Sequence, residues 1–149
     1  MTLETDIGCL KRLPLFHSLP GPRLKLVALM GEKLRYSAGT RIVGEGEEPE
    51  GVYVVLEGEV EIAHKRSEGR GKSFLLATGS IIGDVPILAG QGYLGEVTAK
   101  SDVTTLRLPR DLFFELLETI PDFSLALARD LAARLYRLAD HVLQDEKVH

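Results

Sequence analysis

GVYVVLEGEVEIAHK, residues 51–65, sets two runs of β-branched and other apolar side chains on either side of Glu57-Gly58. Such runs read as strands. Gly58 reaches positive φ at no steric cost, so the two runs read as a tight hairpin. Working outward, a period near two holds from Lys33 to Pro109: RIVGEGEE comes before the pair, and KSFLLATGSIIGD and GEVTAKSDVTTLRLP follow it. Gly39, Gly46, Gly51, Gly58, Gly79 and Gly83 punctuate the runs. Short, closely spaced strands with glycine turns give a sandwich or a small barrel.

On both flanks the period becomes helical. Leu10 and Leu13, then Leu24, Val27 and Ala28, recur at helical spacing, and PLFHSLPGP (residues 14–22) divides this opening into two short helices. After Arg110, DLFFELLETI is stopped by Pro121, and PDFSLALARDLAARLYRLADHVLQDE then runs on without Gly or Pro. Pro121 fits the first turn of that last helix, where a missing N–H costs nothing. Asp130 and Arg134 stand four apart on it as an ion pair. Ala128, Leu131, Leu135, Leu138 and Val142 step by three, four, three and four, a heptad seam. Either the rest of the monomer or the same helix of a second copy covers such a seam. Its place at the end of the chain favours the second copy, a homodimer through Leu131, Leu135, Leu138 and Val142.

The 149 residues (16.4 kDa) suit one domain over 1–149, with a helical lead-in at 1–32, strands at 33–109 and helices at 110–149. With 44% hydrophobic and 27% charged residues the chain should fold rather than stay disordered. A net charge of −4 lacks the excess of Lys and Arg that phosphate-backbone binding needs, so no nucleic-acid partner is expected. One cysteine, Cys9, leaves no internal disulfide and points to a reducing compartment, the cytoplasm. No apolar stretch approaches the roughly 18 residues of a membrane span, so no membrane is expected. The four histidines lie far apart in sequence, and no metal site is expected.

Most candidate motifs dissolve on inspection. Gly71-Lys72-Ser73 resembles the tail of a phosphate-binding loop, but the glycine required five residues earlier is Arg66, and strands rather than a strand and a helix flank it. The basic residues of HKRSEGRGKS read as a solvated tip between two strands. No nucleophile elbow or nucleophile–histidine arrangement occurs, Cys9 sits among apolar neighbours, and no enzyme is expected. What stands out is SIIGDVPILAG, residues 80–90, a strand that ends at Gly83 and passes into one helical turn. Backbone N–H groups at such a turn favour an anion by about 0.3–2 kcal/mol, with Asp84 as its cap and Pro86 near its first position. A capped surface helix between two strands is the plainer alternative.

Taken together, these stretches resemble the cyclic nucleotide-binding domain family, the sensor domain of the catabolite activator protein and of cyclic-nucleotide-dependent kinases and channels. Leu13-Pro14-Leu15-Phe16, Tyr36 to Thr40, Glu45-Gly46-Glu47, Gly51 to Val60, Gly79 with Gly83-Asp84, Val97-Thr98-Ala99, Leu108 to Asp111, Pro121 and Leu131 to Leu135 fall in family order. The resemblance implies an eight-stranded antiparallel β-roll, jelly-roll-like, with N-terminal helices and a long C-terminal helix. It also implies a phosphate-binding cassette, here over residues 82–99, and a non-catalytic regulatory role. Ile82, Gly83, Asp84, Val85, Pro86, Tyr93, Leu94 and Glu96 are then the ligand-binding candidates, with Asp84 as the acceptor for a ribose hydroxyl.

The sequence departs from that family at one chemically decisive place. Where an arginine pairs with the cyclic phosphate, this chain carries Tyr93, and an acid follows at Glu96. A guanidinium offers a bidentate, charge-assisted pair, whereas a phenol offers one neutral hydrogen bond. An added carboxylate beside a phosphate costs on the order of 1–4 kcal/mol at intermediate dielectric. The expected ligand is therefore cyclic AMP or cyclic GMP held weakly, or a different small molecule, with no tightly bound cofactor. Regulators of the catabolite-activator type continue into a helix-turn-helix domain, whereas this sequence ends at His149. The competing expectation is a protein-interaction module that keeps the roll without binding nucleotide.

Overall fold

The computed structural model describes residues 3–64 and 73–148. Three short helices, α1 (Leu3–Lys11), α2 (Pro14–His17) and α3 (Gly21–Met30), lead into eight strands. These are β1 (Glu32–Tyr36), β2 (Arg41–Val43), β3 (Gly51–Glu57), β4 (Val60–Ala63), β5 (Ser73–Leu76), β6 (Ile81–Ile82), β7 (Glu96–Ala99) and β8 (Val103–Pro109). A short helix, α4 (Asp84–Ala89), separates β6 from β7, and α5 (Arg110–Thr119) and α6 (Pro121–Val148) close the chain. The opening has three helices where two were expected, because PLFH itself winds into a turn after Leu13, with Pro14 at its first position.

The strands form two four-stranded antiparallel sheets, in the orders β1-β8-β3-β6 and β2-β7-β4-β5. This is the expected jelly-roll-like β-roll with flanking helices. The central strands of the first sheet, β3 and β8, are buried on both faces. Val52 and Val54 of β3, with Leu106 and Leu108 of β8, face a core shared with Leu10, Phe16, Val27, Phe113 and Phe123 of the helices. Val55 of β3 and Val103 of β8 face the second core, between the sheets, with Val43, Val60, Ile82, Tyr93 and Val97. The two-residue period thus sorts side chains between two apolar cores rather than between core and water.

That burial corrects the reading of Glu57-Gly58. Both edges of β3 are taken, by β8 and by β6, so β4 cannot pair beside it and crosses to the other sheet. Gly58 does have φ +100°, but what demands glycine is the approach of the β7–β8 connection: a Cβ there would lie 2.4 Å from the Asp102 carbonyl oxygen. The hairpin in this region is β4–β5, with Ala63 opposite Ser73. The basic tip it carries, including Gly71 and Lys72, lies outside the described residues.

Helix α6 is fastened at its start. Phe123 is fully buried, with ring centroids 5.8 Å from Phe16 and 6.4 Å from Phe113, and Leu127 is buried one turn on. Leu131 packs against the same core. Leu131 is thus half-buried against the monomer's own core, while Leu135, Leu138 and Val142 stay uncovered at 68%, 46% and 55% exposure.

Two glycines at similar φ separate backbone strain from crowding. Gly39 (φ +90°) has open space where a Cβ would go, whereas Gly58 meets backbone. In urea unfolding, Gly39→Ala should lose about 1 kcal/mol and Gly58→Ala on the order of 3 kcal/mol. Equal losses would show that the Asp102 contact does not constrain the crossing.

Candidate functional site

The segment from Ile82 to Glu96 is shaped by two left-handed glycines. Gly83 (φ +96°) ends β6 and caps α4, and Gly90 (φ +68°) ends α4. The capping position therefore falls to Gly83, and Asp84 is the first helical residue. No side chain but hydrogen fits at Gly83, since a Cβ would lie 2.5 Å from the Tyr93 hydroxyl and 3.1 Å from the Gly51 carbonyl oxygen. The return strand is tied to the β2–β3 connection: the Tyr93 N–H donates to the Glu47 carbonyl (3.0 Å), and the Gly46 N–H donates to the Tyr93 carbonyl (2.8 Å).

Asp84 is 2% exposed and both its oxygens are engaged. Oδ2 accepts from Arg134 Nη2 at 2.5 Å, and Oδ1 accepts the Val85 N–H at 2.9 Å. Arg134 also holds Asp130, at 2.8 Å, as the four-residue spacing anticipated. Burial pulls the Arg134 guanidinium's pKa down, but hydrogen bonding and charge from Asp84, with the charge of Asp130, outweigh it and leave it raised. It stays charged. Asp84 thus serves as the anchor of α4 on α6, and its carboxylate takes one of the N–H groups an anion would have used.

Tyr93 is 7% exposed, and its hydroxyl is buried without a hydrogen-bond partner among the described residues. Burial raises its pKa strongly, and Tyr53, Asp84 and Glu47 nearby raise it further. It is a neutral phenol at physiological pH. Tyr93 forms one wall of a cavity of about 370 Å³, whose mouth carries Glu47, Glu48 and Glu50 with Tyr53 and Arg107. Arg107 is held by Glu50 (3.5 Å) and Glu32 (3.9 Å), and Lys100 by Glu61 (3.9 Å). The cations nearest in sequence are therefore both paired. Three carboxylates against one guanidinium make this cavity acidic.

The structure brings Ile82, Gly83, Asp84, Val85, Pro86 and Tyr93 together around α4. It leaves Leu94 outside, 76% exposed, and Glu96 half-buried at the start of β7, opposite Ala63. Sequence reasoning missed the acidic mouth at Glu47 to Glu50, and it missed Arg134 as the partner of Asp84. The first had a signal in the run EGEEPE; the second, fifty residues apart, had none. No group of three or more metal-ligating side chains occurs among the described residues, nor a helix long and apolar enough to cross a membrane.

With this geometry, residues 33–120 match the family described as the cyclic nucleotide-binding domain. The chain belongs to that family. It is 34% identical over 114 residues to a cAMP-dependent protein kinase regulatory subunit of Aspergillus fumigatus, covering 76% of this chain and 27% of that one. Among solved structures, the catabolite activator protein of Thermus thermophilus superposes with TM-score 0.71 at 27% identity, over 88% of this chain and 62% of that one. The regulatory subunit of a cAMP-independent protein kinase A from Trypanosoma cruzi, bound to guanosine, superposes with TM-score 0.71 at 26% identity, over 86% of this chain and 45% of that one. The chain spans between 7% and 27% of the length of the first curated relatives it matches. What the match shows for this chain is the cyclic nucleotide-binding domain itself.

The Asp84–Arg134 pair is testable as the tie between cassette and helix. Arg134→Gln leaves a buried carboxylate uncompensated, which should cost on the order of 2–3 kcal/mol, below a fully buried pair because Arg134 keeps 27% exposure. The double variant Asp84→Asn, Arg134→Gln should lose less than the sum of the singles in denaturant unfolding. Strict additivity would mean the two groups do not interact.

Proposed function

We propose that this domain is a sensor whose cassette takes an uncharged nucleoside in preference to a cyclic nucleotide. The observation that carries the reading is Tyr93: a buried, neutral hydroxyl occupies the position where a phosphate would need a guanidinium. A charge-assisted bond is about twice as strong as a neutral one, so losing it weakens a phosphate far more than a sugar or a base. The acidic cavity beside Tyr93 works the same way, repelling an anion while offering carboxylate acceptors to hydroxyl and amino groups. The guanosine bound to the Trypanosoma cruzi relative supports the same ligand class.

Thermal-shift titration decides between the ligands. Guanosine or adenosine at 100 times its Kd should stabilise the fold by about 2.7 kcal/mol, with cyclic AMP and cyclic GMP shifting it much less. Cyclic nucleotides binding more tightly than nucleosides would reverse the reading, and no response to any of them would favour an interaction module. Tyr93→Arg with Glu96→Thr should then raise cyclic-nucleotide affinity by about tenfold or more.

The uncovered end of α6 supports a second element of the reading, self-association. Leu135, Leu138 and Val142 lie exposed on one helix face, and Val85 and Leu88 of α4 are exposed as well. We place the partner as a second copy, in a reducing cytoplasm consistent with the lone Cys9, and the chain as non-catalytic throughout. Sedimentation should show a dimer that Leu135→Asp converts to monomer; an unchanged mass would remove the seam from the interface.

A further inference from the structure

A second cavity, of about 600 Å³, is lined by none of the residues that line the Tyr93 cavity. It opens between the β5–β6 turn, the corner joining α1 to α2, and the middle of α6. Consecutive residues separate the two sites: Ile82 turns into the core that holds Tyr93, while Ile81 turns to the helical core and lines this groove. The floor is apolar, from Leu13, Leu15, Leu76 and Ile81, and Thr78 and Ser80 stand on one wall. The opposite wall is one face of α6, carrying Arg129, Arg134 and Arg137 against the single acid Asp130.

The charge on that wall is unbalanced. Arg134 is committed to Asp84 and Asp130, yet its Nε–H is buried without an acceptor among the described residues. Arg129 and Arg137 are exposed, with no acidic partner among the described residues. They lie eight residues apart on the helix, about 12 Å of rise, a span that two long side chains leaning towards Arg134 can close. Two uncompensated guanidinium groups, an orphaned Nε–H and two hydroxyls therefore surround an apolar floor. Guanidinium forks match the oxygens of a phosphate or carboxylate.

We propose that this groove binds a small amphipathic organic anion, a phosphate or carboxylate head on a short aromatic or hydrocarbon arm. The head sits between Arg129 and Arg137, and the arm covers Leu15, Leu76 and Ile81. This stands independently of the nucleoside reading, because the two cavities share no lining residue.

Phenyl phosphate titrated into the intact protein and followed by amide proton–nitrogen spectra tests it. Saturable shifts are expected at Thr78, Gly79 and Ser80, with benzoate reproducing them and inorganic phosphate and phenol each binding more weakly. Arg129→Gln with Arg137→Gln, both at exposed positions, should weaken phenyl phosphate by about tenfold, while Tyr93→Phe should leave it unchanged. Shifts that fail to saturate, equal binding of phenol or of inorganic phosphate, or an undiminished affinity in the arginine double variant would each overturn the proposal.

Discussion

The structure rests on a central pair of strands buried on both faces. β3 and β8 lie at the centre of the first sheet, and each contributes alternate side chains to two separate cores, so a single pair of strands supports both the helical layer and the interior of the roll. Everything else is placed from this wall. β6 extends it by two residues and hands the chain to α4, and the end of β8 becomes the start of α5, which receives α6 through Phe113 and Phe123. The cassette and the last helix are thereby brought within reach of one ion pair.

At the site, the chemistry follows from where charge is already spent. Arginines are present around the cassette, but Arg134 is bound to Asp84 and Asp130, and Arg107 to Glu50 and Glu32. A phosphate arriving here would compete with resident carboxylates. Tyr93 adds a hydroxyl that burial keeps neutral. A site of this kind discriminates by hydrogen-bond complementarity and shape rather than by net charge.

Much of this was readable from sequence because the signals are local. The change of period near Lys33 and again at Pro109 lies at or beside the ends of real elements, Pro121 opens α6, and the Gly83-Asp84 step marks α4. The absence of an arginine between Gln91 and Val97 needed no structure at all. The errors have a common physical origin. Gly58 has the positive φ a hairpin would need, yet the same φ serves a crossing between sheets, and only the partners of β3 distinguish them. A heptad step cannot show where a core stops, so Leu131 reads like Leu135 although one is packed and the other is not. The Asp84–Arg134 contact joins residues that no periodicity relates.

The strand order also governs when this chain can fold. β8 is the common neighbour of β1 and β3, pairing Glu32 with Arg107 and Gly51 with Pro109. Most of the first sheet's pairing therefore waits on residues 103–109, whereas the strands of the second sheet all lie within residues 41–99. Pairings of such long sequence separation carry a high loop-closure cost and slow the search. Until the ribosome has released β8, β1 has no strand partner and β3 has only the two residues of β6, and this is the interval in which the nascent chain is most exposed to misassociation.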